Sequence, residues 1–150
     1  MSEAKEHSVT GNTTAETKWA IVIDASLPLG IIANTAAVLS LSLGKAIPEL
    51  IGHDLVDADD LPHLGITRLA MPILKGDGHL LNELRQAARC YADELTVVDL
   101  TSATLNTKSY EDYAAALSKT PAERVEYLGL ALYGRKKLVN KFTGNLGLLR

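Results

Sequence analysis

Lys18-Trp-Ala-Ile-Val-Ile-Asp24, then Ala25-Ser-Leu-Pro-Leu-Gly30, then the run from Ile31 to Ala46, is the stretch whose reading decides the fold. The first segment is a short apolar run that ends at an acid, the pattern of a strand buried on both faces. Pro28 and Gly30 mark a loop. From Gly30 to about Ala46 the apolar residues Ile32, Ala36, Leu39 and Leu43 recur at helical spacing, and Pro48 stops the pattern. A buried strand, a tight loop and a helix in direct succession open an α/β layered domain. The same stretch carries no charge from Ala25 to Gly44, long enough to raise the question of a membrane span. Pro28, Gly30, Asn34, Thr35, Ser40 and Ser42 interrupt it and no aromatic or basic belt flanks it, so it reads as a loop followed by a largely buried helix.

Working outward, residues 52–67 are polar and turn-rich, with one short strand expected at Leu55–Ala58. Arg68–Leu74 reads as a second strand, placed at a sheet edge by Pro72, which has no N–H to give. His79–Tyr91 is an amphipathic helix with Leu80, Leu84, Ala87, Ala88 and Tyr91 on one face. Thr96–Leu100 is a third strand, Tyr110–Leu117 a modest helix, and Thr120-Pro-Ala-Glu123 a capping-box turn. Tyr127–Tyr133 is a fourth strand, and Lys136–Thr143 a final helix stopped by Gly144. Strands alternating with helices predict a three-layer α/β domain whose four-stranded mixed sheet is mainly parallel and flanked by helices. One domain is expected over residues 18–150, preceded by a disordered tail at 1–17 whose mixed charges and Ser/Thr content lack the apolar core of a secretory signal.

A chain of 150 residues can bury roughly 70% of the surface it exposes unfolded. Its 15 Lys+Arg against 18 Asp+Glu, a net charge of −3, argue against nucleic-acid binding through overall positive charge. The charge is unevenly placed: Asp54, Asp57, Asp59 and Asp60 gather in one segment, and Arg135, Lys136, Lys137, Lys141 and Arg150 in an acid-free end. Cys90 is the single cysteine, so no internal disulfide or CxxC pair exists and a reducing, cytoplasmic setting is expected.

Ligands of open α/β sheets usually sit at the carboxyl ends of strands, beside helix N-termini. Two strand-to-helix junctions qualify: Asp24 to Gly30 leading into Asn34, and Tyr133-Gly134-Arg135-Lys136-Lys137. Together they predict two walls of one cleft for a small polar or anionic ligand, in a binding protein or a diverged hydrolase, lined by Asp24, Gly30, Asn34, Tyr133, Gly134, Arg135, Lys136, Thr143 and Asn145. Asn34 and Asn145 would orient the ligand, Lys141 would supply charge, and Asp99 or Asp24 would act as base. The same residues also serve ordinary tight turns and a solvated basic face, and neither junction is a Walker loop or a full GxGxxG motif. His53, Asp54, Asp57, Asp59, Asp60 and His63 are close in sequence, but carboxylates crowded in a turn mostly point to water, and neither metal nor cofactor is expected. His79 reads as a helix-start residue and Cys90 as a packing residue.

The junction residues carry a resemblance. Leu128-Gly-Leu-Ala-Leu-Tyr-Gly134 with Leu138-Val-Asn-Lys-Phe-Thr-Gly-Asn-Leu-Gly-Leu-Leu149 is similar to the closing strand and helix of type II (archaeal/eukaryotic-type) peptidyl-tRNA hydrolases, and Asp24, Gly30, Ala33 and Asn34 fall where that family has an Asp, a Gly and an Ala-Gln pair. Residues 18–150 resemble more closely a bacterial domain-of-unknown-function family with that fold, through a Pro-x-Gly-x-x-Ala-Asn start and the Leu-Tyr-Gly…Asn-Lys-x-Thr-Gly-Asn-Leu end. The resemblance implies that the first and last strands are adjacent, which would bring the two junctions together, and it implies a homodimer. The hydrolase lysine is Ile31 here, its His is Asn145, and its Asp-Ala-Gly-Arg-Thr loop is reduced to Asp99 followed by an insertion to about Glu123. Losing that lysine removes a fixed charge from the reacting centre, so the resemblance carries the fold more firmly than the activity. Two alternatives stand beside the ligand cleft: residual peptidyl-tRNA or RNA-related hydrolysis through the basic end, and a non-catalytic dimeric interaction protein.

Overall fold

In the computed structural model, which describes residues 16–150, β1 spans Thr17–Asp24 and starts inside the stretch expected as tail. Residues 1–15 of that expected tail lie outside the described residues. After β1 come α1 (Leu29–Ala46), a short hairpin of β2 (Leu55–Val56) and β3 (Pro62–His63), β4 (Ile73–Gly76), α2 (Gly78–Ala88), β5 (Leu95–Thr101), α3 (Tyr110–Ser118), β6 (Tyr127–Arg135) and α4 (Lys136–Thr143). The main sheet runs β4-β1-β6-β5. The first and last strands are therefore neighbours, as expected.

The sheet is mixed, but not mainly parallel. β4 pairs parallel with β1, while β6 is antiparallel to both β1 and β5. Alternation of strands with helices misled here because the connection between β5 and β6 does not cross the sheet. β6 begins where β5 ends, with Thr101 opposite Tyr127, so α3 and its flanking turns act as a long hairpin connection. The expected strand at Arg68–Leu74 is shorter and later. Residues 68–72 stay outside it, although the Pro72 carbonyl accepts a bond from the Ile21 N–H at 3.0 Å. β4 is flanked on its outer side by the chain end, where Lys75 N–H donates to Gly147 at 2.9 Å and Leu149 N–H to Ile73 at 2.9 Å.

Two cores lie on the two faces of the sheet. Trp19, Ile21 and Ile23 of β1 point to α1 with Leu39 and Leu43, whereas Ala20 and Val22 point to α2 and α4 with Leu81, Leu84 and Val139. This alternation within an apolar run is what a strand covered on both faces requires. Gly129 marks the closest approach of α1 to the sheet: a Cβ there would lie 2.8 Å from Thr35 Cγ2 and 3.1 Å from both Leu39 Cδ1 and the Val22 carbonyl. The register shift beside it, where Leu100 faces Gly129 but Thr101 faces Tyr127, is a β-bulge that puts Leu128 on the same side as Gly129. Thr35 is fully buried and its hydroxyl donates to the Ile31 carbonyl at 2.7 Å.

The helix expected to be largely buried is not. α1 buries only the stripe Thr35, Leu39 and Leu43, and Leu41 on its outer face is 78% exposed. α2 begins with a side-chain cap, the Asp77 carboxylate accepting from Leu80 N–H at 2.8 Å, and α3 with Ser109 accepting from Asp112 N–H.

Candidate functional site

The two junctions sit at opposite ends of the sheet. β1 and β6 are adjacent but antiparallel, with Thr17 opposite Arg135 and Ile23 opposite Gly129. Asp24, Gly30 and Asn34 therefore belong to one end, and Tyr133, Gly134, Arg135 and Lys136 to the other, about 23 Å away at a strand rise of about 3.3 Å per residue. Adjacency was the right expectation and the wrong inference, because it took no account of strand direction.

The remaining candidates are occupied by structural work. Gly134 is required by packing rather than by a ligand, since a Cβ would lie 2.7 Å from the Glu94 carbonyl and 2.9 Å from Leu95 Cδ2. A Cβ at Gly30 would meet open space. Arg135 pairs with Glu94 at 2.6 Å. Lys141 reaches Tyr91 Oη at 2.5 Å, with its ammonium 4.8 Å from the centre of that ring, a cation–π arrangement. Thr143 is buried and its hydroxyl donates to the Val139 carbonyl at 2.8 Å. Asp99 points toward α2, where Arg85 Nε donates to it at 2.7 Å, both side chains being mostly covered. Burial, and after it the Asp99 charge, hold the Tyr127 phenol above its usual range, against the pull of Arg85 and Arg89. Asp99 and Arg85 thus lock α2 to the sheet.

The crowded acidic segment is a hairpin turn. Asp57 accepts from the N–H groups of Asp59 at 2.9 Å and Leu61 at 3.1 Å, and lies 2.9 Å from His63 Nε2. The His63 bond, followed by the Leu61 and Asp59 N–H groups, holds the Asp57 carboxyl below its usual range. Among the described residues no group of three or more His, Cys, Asp or Glu side chains could hold a metal ion.

A hollow of about 920 Å³ opens at the carboxyl ends of β1, β4 and β5. Leu27, Leu105, Val125, Tyr127 and Leu128 provide its apolar surface. Its polar walls carry Asp24, Glu83, Glu123 and Glu126 against Arg124, with His79 beside them. Asp24 Oδ1 is fixed by the Ser26 N–H at 2.9 Å and hydroxyl at 2.7 Å. His79 Nε2 lies 3.6 Å from Glu83 Oε1 across one turn of α2. Asn82 donates to the carbonyls of Ala122 at 3.3 Å and Val125 at 3.0 Å, which ties α2 to the 122–125 turn and closes one side of the hollow. The α2 N-terminus opens here too, but the Asp77 carboxylate already caps it. Four carboxylates to one guanidinium give the walls of the hollow a negative balance.

Of the sequence candidates only Asp24 lines this hollow. Asn34 and Asn145 are not among its walls, and Tyr133, Arg135 and Lys136 lie at the far end of the sheet. His79, Asn82 and Glu83 were missed as site residues although they follow the Gly76-Asp-Gly78 break, the same strand-to-helix signal that selected Asp24. Glu123 to Glu126 carried no comparable signal, since they come to the hollow only through the non-crossing connection to β6.

An α/β/α layered domain with a mixed four-stranded sheet and an open hollow at strand carboxyl ends is the class that fold and site define. The chain belongs to the DUF2000 family, described as a protein of unknown function, whose model matches residues 17–150. Its structure is similar to that of the protein of unknown function Atu0240 from Agrobacterium tumefaciens strain C58, with a TM-score of 0.80 and 20% sequence identity over 89% of this chain and 97% of that one. That similarity shows a shared fold. No curated protein matches the chain.

Proposed function

We propose that the protein binds a small polar ligand carrying an ammonium or guanidinium group in the hollow at the carboxyl ends of β1, β4 and β5. The observation that carries this reading is the wall chemistry: Asp24, Glu83, Glu123 and Glu126 outnumber Arg124 around an apolar floor. Such sites combine apolar walls with a few placed polar groups, and volumes near this one hold a small metabolite. The reading revises the sign of the ligand expected from sequence. The anion-tolerant residues Arg135, Lys136 and Lys137 belong to the other end of the sheet, so they cannot share a ligand with Asp24. A cytoplasmic setting goes with this proposal, supported by the exposed free thiol of Cys90.

A thermal-shift screen tests it, because a ligand that binds only the folded state raises the melting temperature. Amines and guanidines should raise it, carboxylates and phosphates of the same size should not, and Asp24→Asn or Glu83→Gln should abolish the shift. A response to the anions alone would refute the reading.

A second reading, a diverged hydrolase, has one observation in its favour: His79 beside Glu83 on the wall of the hollow. A histidine steered by a carboxylate can take a proton from water. Hydrolysis of an ester of a cationic amino acid, lost in His79→Ala, would support it; an equal rate in His79→Ala would remove it. Inherited peptidyl-tRNA chemistry gains nothing comparable, since the basic residues that would contact a phosphate backbone are remote from this hollow.

A further inference from the structure

Arg124 is the single guanidinium in the walls of the hollow, and its side chain forms no ion pair among the described residues, although four carboxylates share those walls with it. Arg85 and Arg135, by contrast, are taken up by Asp99 and Glu94. The backbone beneath Arg124 is fixed. Its N–H donates to the Pro121 carbonyl at 2.8 Å, Asn82 and Gln86 of α2 donate to the Ala122 carbonyl at 3.3 and 3.4 Å, and the Glu126 carbonyl accepts from the Ser102 N–H at 2.8 Å. The turn that carries Glu123, Arg124 and Glu126 is therefore held by α2 on one side and by the end of β5 on the other.

We propose that the ligand of the hollow is an α-amino acid with a cationic side chain, an inference that rests on the cationic-ligand reading above. A guanidinium is a planar fork that matches a carboxylate, and the α-carboxylate is the group such a ligand offers to Arg124. The α-ammonium is bonded to the same carbon, so it falls beside that contact, where Glu123 precedes Arg124 and Glu126 follows it in the same turn. The second cation falls to Asp24 and Glu83. Ile23 faces Gly129, so Asp24 stands beside Leu128, with Tyr127 and Val125 between Leu128 and Arg124 along the chain. These three residues belong to the apolar surface of the hollow, and the methylene stem of a lysine-like or arginine-like side chain covers such surface while its head stays among polar groups. Charge decides the class. A simple amine or polyamine complements the carboxylates but sets a positive charge beside Arg124. An amino acid with a neutral side chain brings as many negative as positive charges and leaves the acidic excess unanswered. Two cations and one carboxylate answer both.

Isothermal titration of the full chain near neutral pH with L-arginine, its decarboxylated counterpart agmatine, and L-leucine tests this. L-Arginine should bind about tenfold tighter than agmatine, the scale of a charge-assisted hydrogen bond reduced for an exposed partner, even though agmatine carries the higher net positive charge. L-Leucine should bind more weakly than L-arginine. In Arg124→Gln the preference should disappear through weaker L-arginine binding, with agmatine held at least as tightly as by the parent. Arg124 is exposed, so without ligand this variant should melt like the parent. Agmatine binding the parent as tightly as L-arginine overturns the amino-acid assignment and leaves the cationic-ligand reading in place; so does a preference that survives Arg124→Gln, or L-leucine that matches L-arginine. Binding of neither L-arginine nor agmatine refutes the cationic-ligand reading itself, and this inference with it.

Discussion

Replacing Gly129 by Ala tests how closely α1 sits on the sheet. The added methyl would meet Thr35 Cγ2 at 2.8 Å, Leu39 Cδ1 at 3.1 Å and the Val22 carbonyl at 3.1 Å. None of these can swing aside cheaply. Thr35 is β-branched, fully buried and hydrogen-bonded to Ile31, which leaves it little rotamer freedom in a helix, and the carbonyl belongs to β1. Relief therefore requires α1 to lift, and overpacking of this kind costs about 1–3 kcal/mol. For a chain of this size that lowers the melting temperature by roughly 2–12 °C. Trp19 is the only tryptophan and is 4% exposed, so its fluorescence reports urea unfolding directly. The distinctive expectation concerns the double variant. Thr35→Ser removes the nearest atom, so Gly129→Ala/Thr35→Ser should cost at least about 0.5 kcal/mol less than the two single changes added. A Gly129→Ala protein within about 0.5 kcal/mol of the parent, or strict additivity with Thr35→Ser, would refute the packing account.

Arg85→Ala leaves the Asp99 carboxylate covered and unpaired, and should destabilise by about 1–3 kcal/mol, while leaving any amine-induced thermal shift intact; loss of that shift without loss of stability would return Asp99 to the site. The Asp57 carboxyl is held below its usual range by His63 and two N–H groups, so its contribution to hairpin order is complete above the ordinary carboxylate pKa and is lost as pH falls through the lower folded value. An acid titration of the Asp59 and Leu61 amide signals should show His63→Asn losing the turn at higher pH than the parent, and identical midpoints would contradict this.

Much of the fold was legible because β1 and α1 advertise themselves: an apolar run ended by Asp24, a Pro-Gly loop, and apolar residues at helical spacing. Strand direction was not legible. Nothing in residues 102–126 says that α3 stays on its own side of the sheet, and that one topological fact moved Tyr133 to Lys136 away from Asp24. The reach of Lys141 to Tyr91 and of Arg85 to Asp99 likewise depends on how helices pack, which periodicity does not encode. Of the sequence candidates Asp24 alone lines the hollow, a position that follows from its ending a buried strand.

The location of the ligand is the central claim, and an amide-resolved NMR titration with a small guanidine reads it most directly. Shift changes should concentrate at Asp24 to Leu27, Gly78 to Glu83 and Glu123 to Leu128, the walls of the hollow. Changes concentrated instead at Lys18 and Arg135 to Asn140 would place the ligand at the opposite end of the sheet and contradict the account.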